Sequence, residues 1–511
     1  MSTPNTVIII GGGLAGLSAA IEAHANGARV ILLEKEARIG GNSIKASSGI
    51  NTVEPLNNDT VELFEEDSII SGGGLSDPTL VHKLVTESQD AVKWLIEQSK
   101  DSLDLSLVSR CGGHRVGRTH RCKPGENGRP VPVGWAIIET LKKRLDGVEV
   151  KTGTRVLEIL KNASGRVTGV RVITDGEEEE IDAEAVILAS GGFGGQTGEL
   201  QGDGKESLLH HYAPQLVNLA TTNGPWANGD GVRLGLAAGA KLKDMDQVQI
   251  HPTGFIDPSN PSAPTKFLAP EALRAYGAIL LDGEGHRFVD ELGRRDEVSK
   301  AFFEHPNHPT PEGWMSKSLS AATDADKHTS ASTATATDTA TSASTSTYTS
   351  DSRSAVAYLV MPQQAVENFG EGTLGFYLQK GFFVKAAGTA GLAKLLAVSQ
   401  EALEEELGQY DSHQDPEKTV FPCDLMPSKD ILYWVALVTP CVHYTMGGLT
   451  IDSEARVLES SGKPITGLYA AGEVAAGVHG KNRLAGNSLL ECVVYGRTAG
   501  RTAATSYLSL D

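Results

Sequence analysis

The run Val7-Ile8-Ile9-Ile10 leading directly into Gly11-Gly12-Gly13-Leu14-Ala15-Gly16 constrains this chain more tightly than any other feature. Consecutive apolar residues without alternation read as a strand buried on both faces, the glycines as a tight turn, and Leu17-Ser18-Ala19-Ala20-Ile21 as the helix that follows. A second apolar run, Arg29-Val30-Ile31-Leu32-Leu33, completes a βαβ unit. It ends at Glu34, about 20 residues past the glycines, where an acid that hydrogen-bonds ribose hydroxyls belongs. Positions 11, 13 and 16 lack side chains where a backbone must approach a pyrophosphate. The helix N-terminus beyond them offers free N–H groups and a favourable dipole. Glu34 favours a ribose with free hydroxyls, hence FAD or NAD rather than NADP.

A chain of 511 residues exceeds one hydrophobic core, so two domains are expected. Val81, Leu84, Val85, Val92 and Leu95 recur at helical spacing and predict a helix over 81–98, and the Gly- and His-rich stretch from Gly112 to Gly128 reads as a candidate site loop. Val148 to Val172 alternates like a β-meander. Ala185-Val186-Ile187-Leu188-Ala189-Ser190-Gly191-Gly192 reads as another strand of the nucleotide-binding sheet. Between Thr329 and Ser350 the chain is dominated by Thr, Ser and Ala, without the large apolar side chains that offset ordering entropy. A disordered surface insertion is therefore expected at about 316–354. The dinucleotide-type pattern resumes only near Leu468-Tyr469-Ala470-Ala471-Gly472-Glu473, which places the insertion in a loop of the second domain rather than in a linker.

The 45 Lys+Arg against 64 Asp+Glu give a formal net charge of −19, which argues against nucleic acid or an anionic membrane as a general partner. An anionic substrate must then be caught by a local basic pocket. Cys111, Cys122, Cys423, Cys441 and Cys492 are an odd, scattered set, unlike a secreted disulfide framework. No secretory or transit segment is expected before the first strand, no apolar run reaches the roughly 20 residues needed to cross a bilayer, and Ser509-Leu510-Asp511 matches no retention or peroxisomal signal. A soluble, monomeric, cytoplasmic protein is expected, with a mitochondrial location left open.

Gly40-Gly41-Asn42-Ser43 follows the ribose acid, and Gly467 to Glu473 and Asn482-Arg483-Leu484-Ala485-Gly486-Asn487-Ser488-Leu489 lie near the other end. With the opening motif they resemble the succinate dehydrogenase and fumarate reductase flavoprotein family, and within it the soluble, fungal-type fumarate reductases, over nearly the whole chain except the Thr/Ser segment. The resemblance implies an α/β fold: a Rossmann-like FAD-binding domain in two parts, 1–248 and 444–511, with an inserted α+β capping domain at 249–443. It implies an FAD site built from Gly11, Gly12, Gly13, Ala15, Gly16, Glu34 and Lys35, then Gly41, Asn42, Ser43, Ser48, Gly49 and Asn51. From mid-chain it adds Val156, Ser190, Gly191, Thr222, Asn223 and Asp230, and near the end Gly472, Glu473, Asn487, Ser488 and Leu489. Membrane-bound members attach the flavin to a His near the Gly-Gly motif. Asn42 to Gly49 contains none, so noncovalent FAD is expected.

Fumarate is a dianion whose double bond is not electrophilic by itself. A reductase must neutralise both carboxylates, polarise one and stabilise the carbanion that hydride attack creates. His251-Pro252-Thr253, Pro270-Glu271-Ala272-Leu273-Arg274, Arg294-Arg295-Asp296, His443-Tyr444-Thr445-Met446-Gly447-Gly448 and His479-Gly480-Lys481-Asn482-Arg483 each resemble a substrate-site motif of soluble fumarate reductases. The resemblance implies that His251, His443 and Arg483 clamp the substrate, Arg295 donates the proton, and Glu271 with Arg274 reprotonates it. An arginine acid, with a reference pKa above about 12, requires a strongly basic carbanion and a dry site. Pro270 departs from members with a hydroxyl residue at that place, so one substrate contact is expected to be missing.

The implied reaction is reduction of fumarate to succinate by hydride from flavin N5 and a proton from Arg295. The alternatives are a related dehydrogenase or oxidase of desaturase or L-aspartate oxidase type, or a non-catalytic flavin-binding protein. Cys111, His114, His120 and Cys122 offer zinc-like spacing, but Gly112-Gly113-His114 and Arg118-Thr119-His120 already resemble a family loop beside the active site, and no metal is expected. No Cys-x-x-Cys-His haem motif occurs, so reduced flavin or a separate reductase is the expected electron donor.

Overall fold

The structure is a computed structural model that describes residues 5–100, 102–125, 131–198, 204, 206–310, 314, 355–414, 418, 420–428 and 430–506. The insertion expected at about 316–354 lies outside the described residues, as does the end of the Gly112–Gly128 loop.

The first strand, Thr6–Ile10, lies inside a six-stranded sheet in the order Arg456–Leu458, Pro464–Ala470, Ala185–Leu188, Thr6–Ile10, Arg29–Leu33, Glu149–Lys151. Its pairings to Arg29–Leu33 and Ala185–Leu188 are parallel, as is that of Ala185–Leu188 to Pro464–Ala470. Strands from both ends of the chain therefore share one sheet. Val7, Ile8 and Ile9 are fully buried, which is why they show no polar alternation. One face is covered by the helix Leu14–Ala25 packed against the helix Asn487–Thr505.

Two expectations need correction. The alternating segment does not form one meander from 148: Glu149–Lys151 joins the parallel sheet beside Arg29–Leu33. The antiparallel meander is Thr154–Lys161, Val167–Thr174 and Glu177–Asp182. Gly153, at φ +65, turns the chain between the two sheets, and alternation alone does not say which sheet a strand joins. The single helix expected over 81–98 is two, Pro78–Thr86 and Ser88–Gln98, meeting at Glu87. The buried Ser88 hydroxyl there accepts a hydrogen bond from the Val53 N–H at 3.2 Å, a tertiary contact that periodicity does not record.

Residues 248–445 build a second, antiparallel sheet in the order Phe267–Leu268, Val248–Phe255, Leu432–Thr445, Ala357–Pro362, Ile279–Leu281, with Val384–Ala387 also paired to Leu432–Thr445. Along the long strand, Trp434, Ala436 and Val438 enter one apolar cluster with Phe255 and Phe382. Tyr433, Val435 and Leu437 enter another with Leu403 and Leu407 of the helix Gln400–Asp411. Both faces are covered, so this sheet is a rigid slab.

The two long helices of the first unit touch through glycine. A Cβ at Gly496 would stand 2.6 Å from the Ala15 carbonyl oxygen, and one at Gly500 2.4 Å from that of Ala19. Gly500→Ala gains about 1 kcal/mol of helix propensity, yet it forces two backbones apart at a packed interface, which costs about 1–3 kcal/mol. Urea unfolding should show the variant less stable than the parent. A more stable variant would mean that the helices can separate freely.

Candidate active site

The glycine turn works by close approach. A Cβ at Gly16 would lie 1.9 Å from the Gly11 carbonyl oxygen, and one at Gly11, at φ +110, 2.4 Å from that of Ala189. The helix that follows has Gly13 at its N-cap and no side chain of its own capping it; the Leu14 N–H donates to the Ser43 hydroxyl at 3.2 Å, and the end of the helix presents its dipole to an anion. Glu34 closes the turn from below: its carboxylate accepts from the Gly12 N–H at 2.8 Å and the Glu36 N–H at 2.9 Å. Lys35 donates to Asn228 at 2.7 Å and to Asp230 at 2.8 Å. Burial works against an ionised Asp230, but Lys35 and Arg155 hold its carboxyl below the ordinary range.

From this turn a cavity of about 1370 Å³ runs between the two sheets, more than the roughly 300–1,000 Å³ of an ordinary small-molecule pocket. Gly11, Gly12, Gly13, Ala15, Glu34, Lys35, Gly41, Asn42, Ser43, Ser48 and Gly49 line it. So do Val156, Ser190, Gly191, Thr222, Asn223, Asp230, Gly472, Glu473, Ser488 and Leu489. Asn42 bridges to Asn223 at 2.7 Å and to the Gly224 N–H at 3.0 Å, and the buried Ser190 hydroxyl has no protein partner. Gly16, Asn51 and Asn487 stand behind the wall. Asn51 bonds Asn487 and the Ala485 carbonyl, each at 2.7 Å, and so sets the start of the helix Asn487–Thr505 whose first residues face the cavity.

At the other end of the cavity the five sequence motifs converge. Two of their residues are placed by irregularities where Val248–Phe255 pairs with Leu432–Thr445. Gln249 pairs with Tyr444 and Ile250 with Val442, so His443 is the extra residue of a β-bulge. A second register shift falls between His251 and Gly254, where Pro252 needs no ladder donor. The bulges bring the His251 and His443 rings to 5.1 Å between centroids. The Nδ1 of His443 meets the Thr222 hydroxyl at 2.7 Å, that of His251 accepts from the Thr253 N–H at 3.2 Å, and the Nε2 of His251 is buried without a partner.

Glu271, fully buried, accepts from Arg295 Nε at 2.6 Å and from the Gly112 N–H at 2.8 Å, with Arg274 at 3.9 Å on the far side. Arg274 also donates to the Glu291 carbonyl, and its Nε and Nη2 have no hydrogen-bond partner. Arg483 lies over the Tyr444 ring at 4.6 Å, donates to the Leu484 carbonyl at 3.2 Å, and leaves its Nε unbonded. Arg295, His443 and Arg483 line the cavity, as does Pro270; His251, Glu271 and Arg274 back them.

Burial, then the charge of Arg295, depresses both imidazoles well below the ordinary histidine value, so both are neutral at pH 7, and His251, whose Nδ1 accepts from the Thr253 N–H, carries its proton on Nε2. Burial and Arg295 likewise lower Arg483 to about 10. Burial would raise Glu271, but Arg295 and Arg274 hold it below the usual carboxylate range. Burial lifts Glu473, which accepts from the Thr445 N–H and hydroxyl, to about 7.

Sequence reasoning missed several supporting residues. Gln249 accepts from Arg295 at 2.8 Å and donates to Asn482 and to the Arg483 carbonyl, each at 2.7 Å, joining the two arginines. The strand period gave a signal, since Gln249 and His251 share a face. Glu491, which accepts from Tyr444 at 2.6 Å and meets His479 at 2.9 Å, gave none. The zinc alternative is not assembled: among the described residues, Cys111, His114, His120 and Cys122 do not bring three ligand atoms within 4.8 Å of one another. His114 bonds the Ala485 carbonyl at 2.9 Å and Arg118 at 3.3 Å, and His120 the Leu105 carbonyl at 2.9 Å.

A parallel sheet with a glycine turn, a buried acid at the end of its second strand and a cationic pocket at the far end of one cavity defines a nucleotide-cofactor oxidoreductase. The chain belongs to the FAD binding domain family, whose pattern matches residues 6–489, and FAD is the cofactor this fold holds. It is 35% identical to a fumarate reductase of Schizosaccharomyces pombe, over 99% of this chain and 91% of that protein. It is 37% identical to fumarate reductase 1 of Saccharomyces cerevisiae, over 98% of each. Its structure is similar to the open conformation of a flavocytochrome c3 fumarate reductase, with a TM-score of 0.70, 29% identity, and coverage of 100% of this chain and 79% of that one. Among the described residues no helix is long and apolar enough to cross a membrane.

The neutral histidines give a testable pH dependence. His114 is held at about 4 by burial and then the charge of Arg118, against 6.5 for a histidine in water. From pH 6.5 down to about 4 the unfolded chain therefore binds a proton that the folded chain refuses, and stability falls with pH by up to about 1.4 kcal/mol per pH unit. Glu473 acts in the opposite direction between 4.5 and 7, so the contribution of His114 is isolated by difference. His114→Gln should flatten the urea-derived stability profile between pH 6.5 and 4 relative to the parent, and parallel profiles would refute the assignment.

Proposed function

We propose that this protein reduces fumarate to succinate with FAD. The carrying observation is an excess of buried positive charge: Arg274, Arg295 and Arg483 surround Glu271, while the next buried carboxylates are engaged elsewhere, Glu291 by Arg287 and Lys418 and Glu473, pushed up to about 7, by Thr445. Two uncompensated positive charges are costly in a dry site, and they match the two carboxylates of a dianion. The partnerless atoms point to the same ligand, since His251 Nε2 and Arg483 Nε are donors without acceptors. The curated relatives named fumarate reductase, aligned over nearly the whole chain, support this reading.

The glycine turn, Glu34 and the wall from Asn42 to Leu489 would hold FAD, which supplies the hydride when bound. Binding is noncovalent: the one histidine among the lining residues is His443, already engaged by Thr222. Arg483 pairs with one carboxylate, and the neutral imidazoles of His251 and His443 donate hydrogen bonds that fix the plane of the substrate. Arg295, held in aim by Gln249 and Glu271, gives a proton to the alkene carbon opposite the one that receives hydride. Glu271 and then Arg274 return a proton to it along the 2.6 and 3.9 Å contacts. Residues 249–443 act as a cap over the substrate and exclude water. Pro270 on the cavity wall offers the substrate no donor. The donor of electrons is reduced flavin or a separate reductase.

Under anaerobic conditions, fumarate added to dithionite-reduced protein should restore the oxidised flavin absorbance. A band that stays bleached would sink the reading. Arg295→Ala should lower fumarate turnover by at least the roughly 10²–10⁴-fold that a positioned acid contributes, with FAD still bound; an unchanged rate would move the proton donor elsewhere. Acid precipitation should release all flavin into the supernatant, and flavin retained in the pellet would refute noncovalent attachment.

A further inference from the structure

Arg121 ends the short strand Thr119–Arg121, which is paired on both edges and therefore rigid. The residue is only 8% exposed, and it lines the same cavity as Arg295 and Arg483. Its guanidinium is held by soft contacts alone. It lies over the rings of Tyr276 and Phe369, each at 4.9 Å. Both terminal nitrogens reach a single acceptor, the Phe369 carbonyl, at 3.5 Å, the outer limit of a hydrogen bond. Its Nε has no partner.

Several cations nearby are paired with carboxylates, whereas Lys45 on the same wall is held as Arg121 is, by an aromatic face, Trp226 at 5.5 Å, and a backbone carbonyl, that of Thr222 at 3.0 Å. Arg118, on the same strand approach and fully buried, is met by Asp59 at 2.7 Å and Asp67 at 2.6 Å. On the cavity wall, Lys35 has Asp230 and Lys142 has Glu139, each at 2.8 Å. No carboxylate of the described residues pairs with Arg121. A buried guanidinium between two ring faces is partly compensated and remains available to an anion. The rings come from the second sheet's side of the cavity and the arginine from the other, so the contact spans the gap a substrate must cross.

We infer that Arg121 is a carboxylate-receiving subsite on the approach to the reaction centre. A dicarboxylate entering the cavity takes the guanidinium from the Phe369 carbonyl, is held there by its leading carboxylate, and then moves on to Arg483 and Arg295. The exchange is a change of hydrogen-bond partners, with no covalent step. The inference rests on the dicarboxylate reading above.

The test is steady-state fumarate reduction by the FAD-loaded protein, with dithionite-reduced viologen as donor, at ionic strengths from about 20 to about 200 mM. Arg121→Gln should lose about tenfold in kcat/KM with kcat within about twofold, and its kcat/KM should fall less with added salt than the parent's. Arg121→Lys should keep most of kcat/KM and the parental salt response. Equal kcat/KM and equal salt response in parent and Arg121→Gln overturn the inference. So does an equal loss in kcat and kcat/KM, or an Arg121→Lys no better than Arg121→Gln, because a mere fastening between the two units would behave that way. If Arg121→Gln fails to retain flavin, Arg121→Lys decides: a kept salt response supports the subsite and a lost one refutes it. A parent that turns over no fumarate is a different result, the failure of the functional reading itself.

Discussion

The contact between Glu271 and Arg295 is the interaction on which the rest of the site depends. A carboxylate with no exposure remains ionised only if its surroundings replace water, and here two arginines and the Gly112 N–H do so. The same contact fixes Arg295 by its Nε, leaving Gln249 to hold one terminal nitrogen. The guanidinium is thus aimed from two directions before any substrate arrives. Removing the carboxylate would leave three buried cations in mutual repulsion, so this pair is a structural requirement as much as a chemical one.

The fold supplies that contact by joining two slabs that come from interleaved parts of the chain. The parallel sheet ends its strands where the glycine turn and Glu34 lie, which is where such sheets bind ligands. The antiparallel sheet contributes through its long strand, which crosses the slab and reaches the cavity at His443. A regular ladder there would send His443 and His251 where the pleat dictates. The two register shifts re-aim both side chains at the cost of local pairing. Arg483 then arrives from the opposite unit, just before the helix Asn487–Thr505 whose packing on Leu14–Ala25 closes the first sheet.

Much of this was legible in the sequence because certain residues admit few readings. Unalternating Val7 to Ile10 before three glycines leaves little but a buried parallel strand and a tight turn, and Glu34 stands where that unit predicts it. The motifs around His251, Glu271, Arg295, His443 and Arg483 were readable one by one. Their convergence was not, since it depends on sheet register over separations of nearly two hundred residues. Gln249 was missed although the strand period puts it on the face of His251, because an amide in a strand does not show what it bonds until its partners are known. Glu87 was read as helix interior because periodicity reports which face is buried and says nothing of a neighbouring side chain, that of Ser88, held by the distant Val53 N–H. The strand at Glu149 was misassigned for a related reason: a period of two fixes which side chains share a face but leaves the pairing partner free.

The charge of the whole chain and the charge of the site have opposite signs, and the difference of scale between them explains how both are tolerated. The net charge of −19 is spread over a surface in water, where its field fades within a Debye length of about 8–10 Å. Arg274 and Arg483 are buried, and Arg295 is 4% exposed, so their fields are screened little by salt or solvent. A dianion is therefore weakly repelled at long range and strongly held once inside. Because Arg295 and Arg483 both line the cavity, a monoanion there would satisfy one guanidinium and leave the second uncompensated. The proposed preference for two carboxylates would follow from the excess of buried positive charge around Glu271, before any question of shape arises.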